Sequence, residues 1–369
     1  MKIMFYYASM HLGGAERMIA TLANNFVARG DEVAVMVNDS LPTGYPLDGR
    51  VRFINQNAES DSHGLVDALR HNLRRVSLTR KYFREIRPDV VLCFAINNLT
   101  FTVLARPGLG IKAIGSDRNN PTYSEYGFWD KLRNHIAPRA EGFIFQTQAA
   151  RSYYSHRVQE RSIVIPNGIA PEELSAQVAP LDQRIKGSIS AVGRLEEQKG
   201  FDTLIRAYAL FLQNNPGYTL TIFGEGSERQ KLEEMIAAMG LTGQVILAGR
   251  ISNVFEELSR REIFVLSSRF EGMPNALMEG LACGCACIST DCDYGPSELI
   301  QDGLNGLLIP VDDEAALAAA MERLARDPDL AQTLAKNALK IRETHSMENI
   351  AQKFYDYITA TVRQTSKGR

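Results

Sequence analysis

No uninterrupted apolar run in these 369 residues reaches the ~20 that a membrane-spanning helix needs. The opening MKIMFYYASMHLGG is apolar, yet too short and too soon broken by glycines to serve as a secretory signal. Cysteine is scarce and odd in number: Cys93, Cys283, Cys285, Cys287 and Cys292 fit reduced thiols better than a disulfide framework. The run CGCAC lacks the C-x-x-C spacing of a zinc knuckle and has no histidine nearby, so small buried thiols are expected there. Nor is there a large charge excess. A net charge of −2, with no recognition motif, argues against nucleic acid as a partner. These absences point to a soluble, cytoplasmic protein.

What is present is an ordinary globular composition, 45% hydrophobic and 23% charged, in a chain longer than one core usually organises. Two domains are therefore expected. Residues 1–168 carry a net charge of +6 and the remainder −8, so the halves face different partners. The basic excess gathers in residues 70–87, RHNLRRVSLTRKYFREIR. There Leu73, Val76, Leu78, Tyr82, Phe83 and Ile86 fall loosely on one helical face between seven cations. Such a helix suits an anionic lipid surface. It equally suits a solvated helix whose apolar stripe meets the core.

Short apolar runs alternate with helical patterns along the whole chain. KIMFYYA, the amphipathic AERMIATLANNFVARG and EVAVMVN read as a βαβ unit. PDVVLCFA, KAIGSD and GFIFQT add strands of the parallel-sheet kind. SIVIPNGIAPEEL closes the series with a linker-like Pro166, Asn167, Gly168 and Pro171. The alternation restarts at GSISAVGRLEEQKG and continues through YTLTIFG, QVILAG, IFVLSS and CACIST. The expected fold class is α/β, with two Rossmann-like doubly wound domains facing a cleft. Their expected bounds are residues 1–167 and 168–349, with a terminal helix over 350–369 packing back on the first.

Three glycine loops follow strands. In HLGGAER, Gly13 and Gly14 open a helix, where backbone N–H groups can meet an anion or a hydroxyl, or where a tight turn simply needs glycine. In VGRLEEQKG, Arg194 and Lys199 follow Gly193 and supply a planar fork and a mobile point charge, a combination suited to a diphosphate. In FGEGSER, Gly224 and Gly226 follow another strand, with Ser227 as a candidate helix cap. The stretch RFEGMPNALMEG then sets Glu271 before a helix expected to begin at Pro274, and Glu279 about one turn inside it. These carboxylates can reach separate points of one elongated ligand, each accepting the hydrogens of a vicinal diol. Backbone N–H groups between Gly272 and Asn275 would face a negative group.

In order and in spacing, these pieces resemble the retaining nucleotide-sugar glycosyltransferases of family four, which have the GT-B fold. The matched residues are Gly13-Gly14-x-Glu16, Pro166-Asn167-Gly168, Gly193-Arg194 with Lys199, Gly224-x-Gly226, and Glu271-Gly272-x-Pro274 with Glu279. The resemblance implies that Arg194 and Lys199 hold the donor diphosphate and stabilise the leaving group. It implies that Glu279 takes the ribose hydroxyls, and that Glu271 contacts the donor sugar with Gly272, Met273, Pro274 and Asn275 beside it. Gly13 and Gly14 would leave room for the diphosphate and acceptor, Gly193 and Gly224 belong to donor loops, and Arg250 and Ile251 would lie near the nucleobase. Many relatives carry a histidine after the KAIGSD strand. Here Arg118 stands there, after Asp117, as an anchor or a receptor for an anionic acceptor, with Asp117 as a candidate base.

The implied chemistry is transfer with retention by a front-face path, the departing phosphate accepting the acceptor's proton. Asp291-Cys292-Asp293 imitates a metal-binding D-x-D but follows a strand of the second domain, so no essential metal or other cofactor is expected. UDP is the preferred nucleotide on family frequency, with GDP next. The expected acceptor is a glycan, in particular a polyprenyl-pyrophosphate-linked precursor of a bacterial surface polysaccharide or glycoprotein glycan, met at the inner face of the cytoplasmic membrane. A nucleotide-sugar 2-epimerase of the same architecture and a catalytically silent binding subunit are the alternatives. A dehydrogenase would need the G-x-G-x-x-G fingerprint that is missing near residue 13.

Overall fold

A computed structural model describes residues 1–11, 13–39, 43–58, 65–118, 128–175 and 177–364, with backbone alone at 65–66, 128–131, 171–172 and 364. Its contacts separate two units, Met1–Gly168 together with the chain from Glu348 on, and Ile169–Met347.

Among the described residues the first unit holds seven strands: β1 (Lys2–Tyr6), β2 (Glu32–Val37), β3 (Arg52–Asn55), β4 (Val90–Phe94), β5 (Lys112–Asp117), β6 (Gly142–Phe145) and β7 (Ser162–Val164). They pair in parallel in the order β3-β2-β1-β4-β5-β6-β7. The central strands are buried throughout because helices cover both faces, which is why they read as continuous apolar runs. The helix Gly14–Ala28 buries Met18, Ile19, Leu22, Ala23, Phe26 and Val27, the spacing of one helical face, and seats Phe26 with its ring 6.0 Å from that of Phe5. Burying a side chain of that size contributes about 1.5–3 kcal/mol.

The closing helix Met347–Gln364 belongs to this unit from Glu348 on. Ile350, Ala351, Phe354 and Ile358 are fully buried, Tyr355 meets Phe26 at 5.5 Å, and the Tyr357 hydroxyl accepts from the Phe143 amide at 2.9 Å.

The second unit repeats the plan with six strands: β8 (Ile185–Val192), β9 (Thr219–Phe223), β10 (Val245–Gly249), β11 (Arg261–Leu266), β12 (Ala286–Thr290) and β13 (Leu307–Ile309). Their parallel order is β10-β9-β8-β11-β12-β13. Alternation divides the side chains between two cores: Ile263, Val265 and Ile288 face one, Phe264, Leu266 and Cys287 the other. All five cysteines are free and buried, and burial pushes the Cys287 thiol well up, as inert packing groups require.

In each sheet the strand order runs one way from the first strand and then reverses. The reversal falls between β1 and β4 in the first sheet and between β8 and β11 in the second. Loops leaving the carboxyl ends of such neighbours diverge and leave a crevice for ligands.

Some local expectations need correction. The short strands β3 and β13 were not legible, because four- and three-residue edge segments carry too little pattern. Pro274 is the residue capping a helix that begins at Asn275, and Ser227 is not a cap, since its helix begins at Arg229 after Glu228. Of the stripe that left lipid and core readings open, Leu73 is 62% exposed and Phe83 is buried.

Candidate active site

At the reversal of the second sheet, the loop after β8 and the loop after β11 are tied together. Ser267 Oγ donates to the Lys199 carbonyl at 2.8 Å, the Arg269 amide to the Gln198 carbonyl at 2.8 Å, and Gln198 Nε2 to the Phe270 carbonyl at 2.9 Å. Arg269 also grips Asp202 at 2.9 Å and Asp312 at 3.0 Å. Burial alone would raise the Asp202 carboxyl, but its bonds to Arg269 and Arg206 bring it down to about 2.

This scaffold sets Lys199 against Glu271. Lys199 Nζ donates to Glu271 Oε1 at 2.6 Å, and Ser268 Oγ donates to the same oxygen at 2.6 Å. The two side chains are only 15% and 7% exposed. Among the described residues Glu271 Oε2 takes no hydrogen bond, and Lys199 uses only one of its three ammonium hydrogens. The result is a held ion pair with one acceptor oxygen and two donor hydrogens left for a ligand. The sequence names both residues but not their contact across 72 positions, nor the supporting Ser268 and Arg269.

The remaining expected donor residues are placed differently. Arg194 is 66% exposed and bonds Glu196 at 3.0 Å, leaving it on the outside of the loop. Gly224 has φ +153°, and a Cβ there would lie 1.7 Å from the Gly193 carbonyl oxygen, so close backbone approach requires this glycine whatever binds nearby. Met273 buries its side chain in the core with Leu277 and Met278, so only its backbone can serve a ligand. Gly272 and Asn275 flank it at the start of the helix Asn275–Ala282, and Glu279 is half-buried inside that helix. Arg250 is exposed and Ile251 half-buried in the loop after β10. Asp291 and Asp293 are exposed, and among the described residues no three His, Cys, Asp or Glu side chains converge to hold a metal.

The carboxyl edge of the first sheet is more self-contained. Gly13 precedes the helix beginning at Gly14, and a Cβ on Gly13 would lie 2.2 Å from Glu16 Oε2. The helix entrance expected to meet an anion thus already holds the chain's own carboxylate, whose pKa burial raises. Asp117 is buried, accepts from the Tyr154 hydroxyl at 2.5 Å and lies 3.9 Å from Arg133 Nε. It is a member of an interior network rather than an open base. Arg118 donates from Nη2 to Asn167 Oδ1 and lies 5.6 Å from the Phe94 ring. Its Nε and Nη1 are closed to solvent and, among the described residues, make no hydrogen bond. Burial pulls the guanidinium down to about 10, which leaves it charged near neutral pH. His11 was missed in the sequence. Its Nε2 lies 2.7 Å from Oδ2 of the buried Asp39, a meeting of two strand-end loops that no local motif announces.

Comparison with known proteins shows which family carries this arrangement of sheets. Residues 12–173 match the model for Glycosyltransferase Family 4, and residues 184–341 match that for Glycosyl transferases group 1. The chain is 26% identical, over 97% of its length and 98% of the relative's, to the GalNAc-alpha-(1->4)-GalNAc-alpha-(1->3)-diNAcBac-PP-undecaprenol alpha-1,4-N-acetyl-D-galactosaminyltransferase of Campylobacter jejuni. It is 27% identical, over 92% of its length and 94% of the relative's, to that organism's N-acetylgalactosamine-N,N'-diacetylbacillosaminyl-diphospho-undecaprenol 4-alpha-N-acetylgalactosaminyltransferase. The crystal structure of Anabaena HepE in complex with UDP superposes with a TM-score of 0.78 at 19% identity, covering 98% of this chain and all of the other. The chain is a glycosyltransferase. It belongs to family four and has the two-domain α/β architecture of the GT-B fold.

Proposed function

We propose that the protein transfers a hexose or N-acetylhexosamine, with retention of configuration, from a UDP-sugar to a polyprenyl-diphosphate-linked glycan. The observation that carries this reading is the Lys199–Glu271 pair at the reversal of the second sheet. Lys199 offers its two remaining hydrogens to the donor diphosphate, and Arg194 swings in from the loop surface to share that charge. Glu271 Oε2 accepts from a hydroxyl of the donor sugar, while Glu279 accepts from the ribose. The backbone from Gly272 to Asn275 lies beside the phosphates, and Arg250 and Ile251 border the base.

In the step itself, the bond from the anomeric carbon to the phosphate oxygen breaks, and the acceptor oxygen bonds that carbon from the same face. The acceptor's proton passes to the departing phosphate oxygen. Fixed cations stabilise the growing negative charge on that phosphate, so neither a protein base nor a metal is needed.

The names of the two Campylobacter relatives support a diphospho-undecaprenol acceptor, and the HepE complex supports UDP. A place at the inner membrane face is supported by the helix Leu65–Ile86, which exposes Leu69 and Leu73 together with Arg70, Arg74, Lys81 and Arg84.

Calorimetric titration with UDP-, GDP- and ADP-sugars tests the donor. One UDP-sugar should bind, and Lys199→Ala should abolish that binding; an unchanged affinity in the variant overturns the site. Anomeric couplings of the product, read by proton NMR, test retention.

A further inference from the structure

The opposite, amino-terminal edge of the first sheet carries a groove that no step of transfer uses. It encloses about 480 Å³ and gathers Arg106, Lys112, Arg139, Arg157, Arg161 and a single acid, Glu141. Lys112 opens β5, Glu141 immediately precedes β6 and Arg161 immediately precedes β7, so the groove lies where three parallel strands begin. Arg118 follows the far end of β5, roughly 20 Å away at the strand's rise per residue.

The cations divide into two kinds. Arg106 is structural: it bonds Glu141, the Ile111 carbonyl at 3.1 Å and the Arg139 carbonyl at 2.6 Å. Glu141 is held in turn at Oε2, which also accepts from the Ala113 amide at 2.8 Å. Arg139 donates to the His135 carbonyl. Lys112, Arg157 and Arg161 are different, for among the described residues their side chains have no hydrogen-bond or ion-pair partner. Among the described residues, three unpaired cations therefore share one concavity with a single carboxylate, which is already paired with Arg106. Concave walls of low polarisability strengthen such a field and favour an anion inside it.

We propose that this groove is a second ligand site, remote from the reaction edge, that binds a phosphate-bearing anion. Two guanidinium forks and an ammonium match the several oxygens of a phosphate, for which arginine geometry is suited. The volume falls within the ~300–1,000 Å³ of small-molecule sites and exceeds what inorganic phosphate fills, so the phosphate carries a further group. The same chemistry is offered by a soluble phosphate ester and by a phospholipid headgroup.

Two probes separate those sources. Inorganic pyrophosphate stands for the soluble anion and is titrated by calorimetry into Arg194→Ala/Lys199→Ala protein, in which the donor edge is silenced. Phosphatidylglycerol vesicles, against phosphatidylcholine controls, stand for the headgroup and are read by co-sedimentation. The double reversal Arg157→Glu/Arg161→Glu should weaken binding of at least one probe by about tenfold or more, as loss of charge-assisted bonds requires. Loss of pyrophosphate binding assigns a soluble ligand, and loss of vesicle binding alone assigns a headgroup. Transfer to a water-soluble acceptor should be unchanged. Both side chains are exposed, and Arg157→Gln/Arg161→Gln gives the same direction should the reversal disturb folding. Unchanged binding in these variants of every probe that the Arg194→Ala/Lys199→Ala parent binds, or binding of neither probe by that parent, overturns the proposal.

Discussion

The two sheets reverse their strand order in the same way, yet their carboxyl edges differ in what they leave available. At the second, Lys199 and Glu271 are locked together and still hold unused hydrogens and a free oxygen. At the first, Asp117 is engaged by Tyr154, Glu16 folds over Gly13, and Arg118 leans on Asn167. One topology thus supports an edge with polar groups held open and a largely self-satisfied one. The fold decides where loops gather, and the side-chain partners decide whether their polar groups remain open to a ligand.

On the proposed function, removing the open side of this contrast should have the largest effect. Glu271→Ala is expected to lower turnover by about 10²–10³-fold with donor KM little changed, the signature of contact strengthened in the transition state. Glu279→Ala should instead raise donor KM with turnover nearly retained. Equal small effects in steady-state kinetics would erase the division of labour between them.

The next test asks whether the ion pair serves the fold or the reaction. Lys199→Met leaves a nearly buried carboxylate with only Ser268, and should destabilise the protein by about 3 kcal/mol in denaturant unfolding. Lys199→Met/Glu271→Leu should recover most of that stability while remaining inactive. A double variant that stays as unstable as the single one would mean the pair is chiefly structural.

At the quieter edge the sign should reverse. Arg118→Met removes a guanidinium whose Nε and Nη1 are shut in without partners among the described residues, so stability should rise by about 1 kcal/mol. A loss of stability would show that the bond to Asn167 outweighs that burial.

The smallest effect concerns the scaffold beneath the pair. Asp202 has its folded pKa depressed to about 2, below the ~3.9 of an unfolded aspartate, so it binds protons more readily when unfolded. Its contribution is present above pH ~4 and lost as pH falls through ~2. Asp202→Asn should lower the unfolding midpoint slightly at pH 7 and flatten the pH dependence between ~4 and ~2.

Much of this was legible in advance, for identifiable reasons. β1, β4 and β5 are continuous apolar runs because both their faces are covered, and such runs survive any detail of packing. Lys199 and Glu271 stood out because glycine and proline punctuate the loops that hold them. Met273 was singled out for its backbone, and only the tertiary structure shows that its side chain belongs to the core. The stripe around Leu73 left open whether it meets the core or a surface, and only the tertiary structure shows Leu73 exposed while Phe83 is buried.

The sequence by itself determined the alternation of strands and helices, the two-unit division and the residue types at the strand ends, since these follow from local periodicity and short-range turn chemistry. Only the tertiary structure decided which of those residues meet. Lys199 and Glu271, or His11 and Asp39, become neighbours because parallel strands separated along the chain lie side by side and deliver their loops to one edge. The openness of a polar group depends on partners brought by other loops, a long-range property that no single stretch of sequence contains.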